Sequence, residues 1–347
     1  MERFTVSCRE GVYECFPDVA KLSDGRLVGV WRESEGHVPR GYTRIVLASS
    51  EDDGVTWGGR EVLAETSGPV TRTPGWNCPR ISSLEDGRAV IACDLNYWPE
   101  GERMYRRTRV HLWWSEDGSR WEGPDSTGIW GIVPDKVREL NGALAIGTHE
   151  RSPETGNLRQ LLWRRGDGAW EGPEVVADEP GLNLCEGTLV QREEERAFIM
   201  RENSGRGLPG YKAVCRDGKR WSKPSQVPLP GCHRPVAGWW GDRILVTYRC
   251  YMGREVENTL VLGALLDPES VFEDDLNARK GRIFFLDYDR SPTPDTGYTG
   301  WCEIDDDRIF VINYIVDDSR TAQIRGYQVA RDDILAEARW GKITGDQ

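Results

Sequence analysis

The stretch Leu22-Ser23-Asp24-Gly25-Arg26-Leu27-Val28 returns further along the chain as Leu84-Glu85-Asp86-Gly87-Arg88-Ala89-Val90. Each copy lies between two short apolar runs, so each reads as a hairpin turn. Asp-Gly suits a type I′ turn, whose two central residues need positive φ. Weaker copies stand at Leu140-Asn141-Gly142-Ala143-Leu144, Glu194-Glu195-Arg196-Ala197-Phe198, Gly241-Asp242-Arg243-Ile244-Leu245 and Asp306-Asp307-Arg308-Ile309-Phe310. The six anchors, at 26, 88, 143, 196, 243 and 308, recur about every 56 residues on average, a period close to that of kelch-like propeller repeats.

A second motif follows the first. Ser50-Glu51-Asp52-Asp53-Gly54-Val55-Thr56-Trp57 has reduced copies at Ser115-Glu116-Asp117-Gly118-Ser119-Arg120-Trp121, Gly166-Asp167-Gly168-Ala169-Trp170 and Arg216-Asp217-Gly218-Lys219-Arg220-Trp221. The Asp side chain suits turn amides, the Gly permits positive φ, and the Trp is placed to pack between neighbouring sheets. These boxes resemble the Asp-box repeats of bacterial neuraminidases, and the resemblance to sialidase-like propellers runs from about residue 11 to about residue 345. The boxes themselves read as fold-making turns and not as sites.

Few segments show helical periodicity, while short alternating runs between Gly- and Pro-containing turns are the all-β signature. The expected fold is an all-β six-bladed β-propeller with four antiparallel strands per blade, one domain over residues 1–347. Blades are expected near 11–65, 70–127, 128–178, 180–228, 230–290 and 292–345, with residues 2–8 lending the last blade its closing strand.

Composition narrows the function classes. A formal net charge of -12 works against binding nucleic acid or an anionic membrane surface. No apolar run reaches membrane-span length, and the first residues lack a signal-peptide pattern, so a cytoplasmic location is expected. The nine cysteines are scattered and never form C-x-x-C. That pattern suggests reduced thiols, with neither a disulfide framework nor a structural zinc site. No cofactor is expected, and oligomeric state is open.

Strand order locates a site. If the Asp-Gly turn joins strand A to strand B, the start of A and the end of B share the face opposite the boxes. Those windows hold Arg32, His37, Arg80, Asp94, His149, Glu186, Arg201, His233, Arg234, Arg249, Arg254 and Tyr298. Three of the four histidines fall there, beside arginines, carboxylates and aromatics, and such a pocket suits a carbohydrate. Trp31, Tyr97 and Trp98 are candidates to stack on sugar faces.

The resemblance to sialidases implies roles. In that family a Tyr nucleophile is assisted by a Glu, an Asp is the general acid, and three Arg bind the substrate carboxylate. Gly297-Tyr298-Thr299-Gly300 is similar to the Tyr motif. Glu186 resembles the assisting Glu, and Arg201 the second Arg. Arg249 or Arg254 is then the third. Two departures stand out. Cys15-Phe16-Pro17 replaces the family's Arg-Ile-Pro, leaving Arg32, Arg80 or Arg234 as substitutes for the first Arg. The loop from Arg32 to Arg40 carries no Asp, leaving His37, Glu33 and Glu35, or Asp94 of the next blade, for acid/base work. His37 needs the smallest shift to work near neutral pH.

Three functions compete. One is a sialidase-like, exo-acting glycoside hydrolase for an acidic sugar. The second is a non-catalytic glycan-binding propeller. The third is a uronic-acid polysaccharide lyase, which His149, His233 and the arginines suit.

Overall fold

The computed structural model describes residues 1–69, 72–97, 107–253 and 260–335. Arg254 and Trp98 lie outside the described residues.

Six antiparallel sheets follow one another along the chain. The first is Tyr13–Lys21, Leu27–Ser34, Tyr42–Ser50 and Gly58–Ser67, and each strand pairs with the next. The last comprises Thr296–Glu303, Arg308–Ile315 and Gln323–Ala330, completed by Glu2–Ser7 from the N-terminus. The ring therefore closes as expected, and the edge of the sixth blade is paired. The outer strand of the second blade, Glu122–Trp130, runs past the expected boundary at 127.

Six apolar clusters hold the disc together; five lie at the interface between two neighbouring blades, and the one between blades six and one also reaches Cys78, Ile132 and Val133 of blades two and three. Ile146 and Trp163 of blade three meet Val90 and Leu112 of blade two, for example. Phe198 and Met200 of blade four meet Leu162 and Ala145 of blade three. A sheet buried on both faces needs apolar residues in near-continuous runs, which is how the inner strands read.

The boxes shape turns as their residues suggest. Ser50 Oγ accepts the Gly54 N–H at 2.9 Å, and Asp52 accepts the Thr56 N–H at 2.8 Å. Trp57 closes its own turn by donating to the Gly54 carbonyl at 2.9 Å, then packs on Phe310 of blade six. Trp121, Trp170 and Trp221 likewise pack against the cluster shared with the preceding blade.

The A–B turns are less uniform than expected. In Leu22–Arg26 the Gly25 N–H donates to the Leu22 carbonyl at 2.9 Å, and Gly25 alone takes positive φ (91°). This is a longer loop with one left-handed residue, and the same arrangement recurs at Gly87 (φ 90°). Both central residues are left-handed at Asn141 (52°) and Gly142 (80°), as a type I′ turn requires.

Candidate active site

The face assignment follows from register. The start of strand A opposes the end of strand B at Cys15–Arg32, Ile132–His149, Cys185–Arg201, His233–Arg249 and Gly297–Tyr314. Just inside each of these pairs, strand A carries one residue more than strand B. Between Cys15 and Asp18 the partner advances only from Arg32 to Val30. The same slip recurs from Cys185 to Thr188, His233 to Val236, and Gly297 to Gly300.

These are β-bulges, which re-aim a side chain out of the sheet. The first bulged residue is left-handed each time: Phe16 (φ 58°), Glu186 (49°), Arg234 (52°) and Tyr298 (58°), with Val133 (52°) in the matching place of blade three. A non-glycine residue in that conformation costs about 1–2 kcal/mol. Strain of this kind concentrates where a side chain must point somewhere in particular. Here the target is the axis. The Tyr298 hydroxyl donates to Glu186 Oε1 at 2.6 Å, joining blades six and four. Arg234 Nη2 donates to the Pro134 carbonyl at 2.7 Å, joining blades five and three.

A compact charged group surrounds the pair. Arg201 Nη1 meets Glu186 Oε2 at 2.8 Å, and the Glu186 N–H donates to His149 Nδ1 at 3.4 Å. The Arg249 guanidinium lies 5.0 Å from the Tyr298 ring centroid and that of Arg234 5.8 Å from it. Gly297 (φ 99°) makes the first approach possible, because a Cβ there would sit 2.4 Å from Arg249 Cβ. Among the described residues, neither Arg249 nor Arg234 has a carboxylate partner. Arg234 Nε and Nη1 and Arg249 Nε are buried without hydrogen bonds.

Burial alone would raise the Glu186 carboxyl, but Arg201, His149 and the Tyr298 hydroxyl outweigh it and hold the group well below the usual carboxylate range. Burial and the Glu186 charge push the Tyr298 phenol up, against Arg201 and Arg249. Burial and the charges of Arg201 and Arg249 depress His233 to about 2, so its imidazole is neutral at pH 7. It stacks on Tyr251 with centroids 4.7 Å apart.

A second polar group sits beside the first, separated by the Phe16 ring. Phe16 is 4.8 Å from Tyr298 and 5.2 Å from His37, centroid to centroid. His37 Nδ1 lies 2.6 Å from Asp295 Oδ2. The Tyr13 hydroxyl donates to the same oxygen, and the Tyr314 hydroxyl to Oδ1 at 2.8 Å. Burial would raise Asp295, but hydrogen bonding to His37 and Tyr13 and the charges of His37 and Arg249 bring it down.

No family model and no curated protein matches the chain. Solved structures do. A protein of unknown function from Dyadobacter fermentans superimposes with a TM-score of 0.76 at 18% identity, over 95% of this chain and 98% of that one. An α-L-arabinofuranosidase from Fusarium graminearum gives 0.66 at 13% identity, over 96% and 99%. A sialidase from Streptococcus pneumoniae gives 0.66 at 11% identity, over 93% and 69%. This chain has the six-bladed β-propeller fold of those structures. Glycoside hydrolases are among its structural neighbours.

Within this propeller, several candidates meet and others do not. Tyr298, Glu186, Arg201, Arg249, Arg234, His149 and His233 form one group, and His37 stands beyond Phe16. Arg32 is fully buried and lies over Phe16 at 4.5 Å. It donates to Asn77 Oδ1 at 3.1 Å and to the His37 carbonyl at 2.6 Å, so it fastens the His37 loop. Arg80 lies one step deeper, donating to the Thr299 and Pro17 carbonyls behind Tyr298 and Phe16. Asp94 is fully buried and accepts from the Cys78 N–H, the Asn77 amide and the Val133 N–H, which occupies both oxygens with framework donors. Glu33 is held by Arg9 and Arg60, and Glu35 by the Arg40 and Gly41 amides. Trp31 is buried in the wedge between blades one and six and is unable to stack on a sugar, whereas Tyr97 is exposed.

Sequence reasoning missed Asp295, Tyr13 and Tyr251. Asp295 stands two residues before Gly297-Tyr298, and that proximity was the available signal. Among the described residues, no group of three or more His, Cys, Asp or Glu is placed to hold a metal ion. A cavity of about 790 Å³ opens at the other mouth of the channel, among Ser82, Lys136, Trp239 and Trp301, and its wall contains none of Tyr298, Glu186 or Arg234.

Proposed function

We propose that the chain is a glycoside hydrolase that removes a terminal acidic sugar, with Tyr298 as nucleophile and Glu186 as its base. One observation carries the reading: the 2.6 Å hydrogen bond between Tyr298 and Glu186 across the channel. A neutral phenol is a better nucleophile than a carboxylate toward an anionic sugar, and sialidases are the Tyr exception among glycosidases. The acidic character of the substrate rests on Arg234 and Arg249. Two buried guanidiniums beside the nucleophile, with no carboxylate partner among the described residues, suit a ligand carboxylate. Arg201 contributes less to such binding, being paired with Glu186 and Asn203. Asp94 and Arg80 are assigned to the frame.

The test is a screen of the purified protein against aryl sialosides, glucuronides and arabinofuranosides, beside Tyr298→Phe. Turnover that disappears in the variant supports the hydrolase and names the sugar class. Turnover that survives unchanged in Tyr298→Phe refutes the assigned nucleophile.

The Glu186–Arg201 ion pair favours a second reading. A carboxylate held so far down is a weak base, and a site that only binds glycans needs no base. In that case Glu186→Gln and Tyr298→Phe retain glycan affinity by calorimetry, and no substrate turns over. Incubation with polyuronates covers the lyase, whose unsaturated product absorbs in the ultraviolet.

A further inference from the structure

The group around Asp295 has the form of a proton relay. Asp295 is 15% exposed and His37 45%, so the carboxylate is sheltered while the imidazole is open to solvent. Three donors converge on one carboxylate: two phenols from blades one and six, and the His37 ring from the loop joining Leu27–Ser34 to Tyr42–Ser50 in blade one. The phenols fix the carboxylate plane. The carboxylate in turn favours a proton on His37 Nδ1, because an ionised carboxylate only accepts. Nε2 makes no hydrogen bond among the described residues, and the loop is pinned by Arg32 at the His37 carbonyl. Glu35 and Arg40 line the same hollow as His37, and Glu35 is committed to loop amides.

We infer that Asp295 positions His37 as the proton donor and acceptor of the reaction at Tyr298. This rests on the hydrolase reading above. In its doubly protonated form, with Nδ1–H held by Asp295, His37 gives its Nε2 proton to the glycosidic oxygen as the bond from that oxygen to the anomeric carbon breaks. The Tyr298 oxygen bonds to the anomeric carbon, and its proton passes to Glu186. In the second half, neutral His37 takes a proton from water as the water oxygen attacks the anomeric carbon. Tyr298 then departs and recovers its proton from Glu186. One water is consumed, and every side chain returns to its starting form. The device replaces a single carboxylic acid with a carboxylate-oriented imidazole. His37 is the catalytic group in this scheme, and Asp295 acts through it.

Two measurements on the full chain test this. The first is a nitrogen-15 spectrum of the histidine rings, with His37→Gln used to assign the signal. It needs no substrate. The wild type is expected to show His37 as the Nδ1–H form when neutral, and Asp295→Asn to shift it toward the Nε2–H form, since an amide then presents N–H to Nδ1. An Nε2–H tautomer in the wild type, or one indifferent to Asp295→Asn, overturns the positioning role.

The second compares an activated aryl glycoside with an alkyl glycoside of the same sugar. His37→Gln is expected to lose about 10²–10⁴-fold in kcat/KM on the alkyl substrate and far less on the aryl one, whose leaving group needs no proton. Asp295→Asn should follow the same pattern. Equal losses on both substrates overturn the proton-donor role. If the wild type turns over no glycoside, the hydrolase reading fails and the donor role with it, while the tautomer measurement still decides whether Asp295 orients His37.

Discussion

Glu186 and Tyr298 are 112 residues apart in sequence and share a 2.6 Å hydrogen bond on the propeller axis. Both occupy the first position of a β-bulge, and both are left-handed. The site is thus made by one backbone device repeated around a ring, with the side-chain identity changed from blade to blade. Phe16, Val133, Glu186, Arg234 and Tyr298 share the geometry and differ in chemistry.

Replacing Tyr298 by Phe removes the hydroxyl and keeps the ring packed on Phe16. The variant is expected to lose at least about 10³-fold in turnover while its melting temperature changes little. Steady-state kinetics with a thermal melt check this. A large fall in melting temperature would mean that the hydrogen bond holds the fold rather than the chemistry.

Removing one partner of the buried Glu186–Arg201 pair leaves the other uncompensated. Arg201→Met is expected to destabilise the fold by about 3–5 kcal/mol. Adding Glu186→Gln should restore a substantial part of that loss, because the stranded charge is gone. Urea denaturation of the two single variants and the double variant reads the coupling directly.

Glu14 predicts a pH dependence. Burial, assisted by the nearby Glu33 charge, raises its carboxyl from 4.5 to about 7, against hydrogen bonds from Ser7 and Arg9. Between those values the folded state keeps a proton that the unfolded state has released. Stability from this group is therefore full at low pH and lost as pH rises through about 7. The span corresponds to about 3 kcal/mol at most. Glu14→Gln should flatten the fall between pH 5 and 7.5 in denaturant titrations, and an unchanged slope would refute the assignment.

Gly54 tests the box turn. It has φ 91°, and a Cβ there would lie 2.1 Å from the Phe310 ring of the neighbouring blade. Gly54→Ala is expected to cost about 2–4 kcal/mol, from the left-handed conformation together with overpacking. Gly25 has the same φ and open space around it, so Gly25→Ala should cost only the conformational part. Comparing the two melts separates strain from packing.

The blade count, strand order and site face were legible in the sequence because each rests on short-range pattern. Asp-Gly turns and boxed tryptophans recur within single hairpins, and antiparallel pairing then dictates which ends share a face. Glu186, Arg201 and Tyr298 could be named because strand starts and ends can be counted from those turns. Which counted residues actually face the axis was not decided by pattern. Trp31 and Arg32 occupy the right window, yet one is buried in an interblade wedge and the other fastens a loop. The bulge that turns Phe16, Glu186, Arg234 and Tyr298 inward has no composition of its own, since four different side chains adopt it. Asp295 gains its role only when Tyr13, Tyr314 and His37 arrive from the ends of the chain that close the ring. Local repetition therefore determined the architecture. The chemistry was left to closure of the ring, because contacts across a propeller axis join residues that no local signal relates.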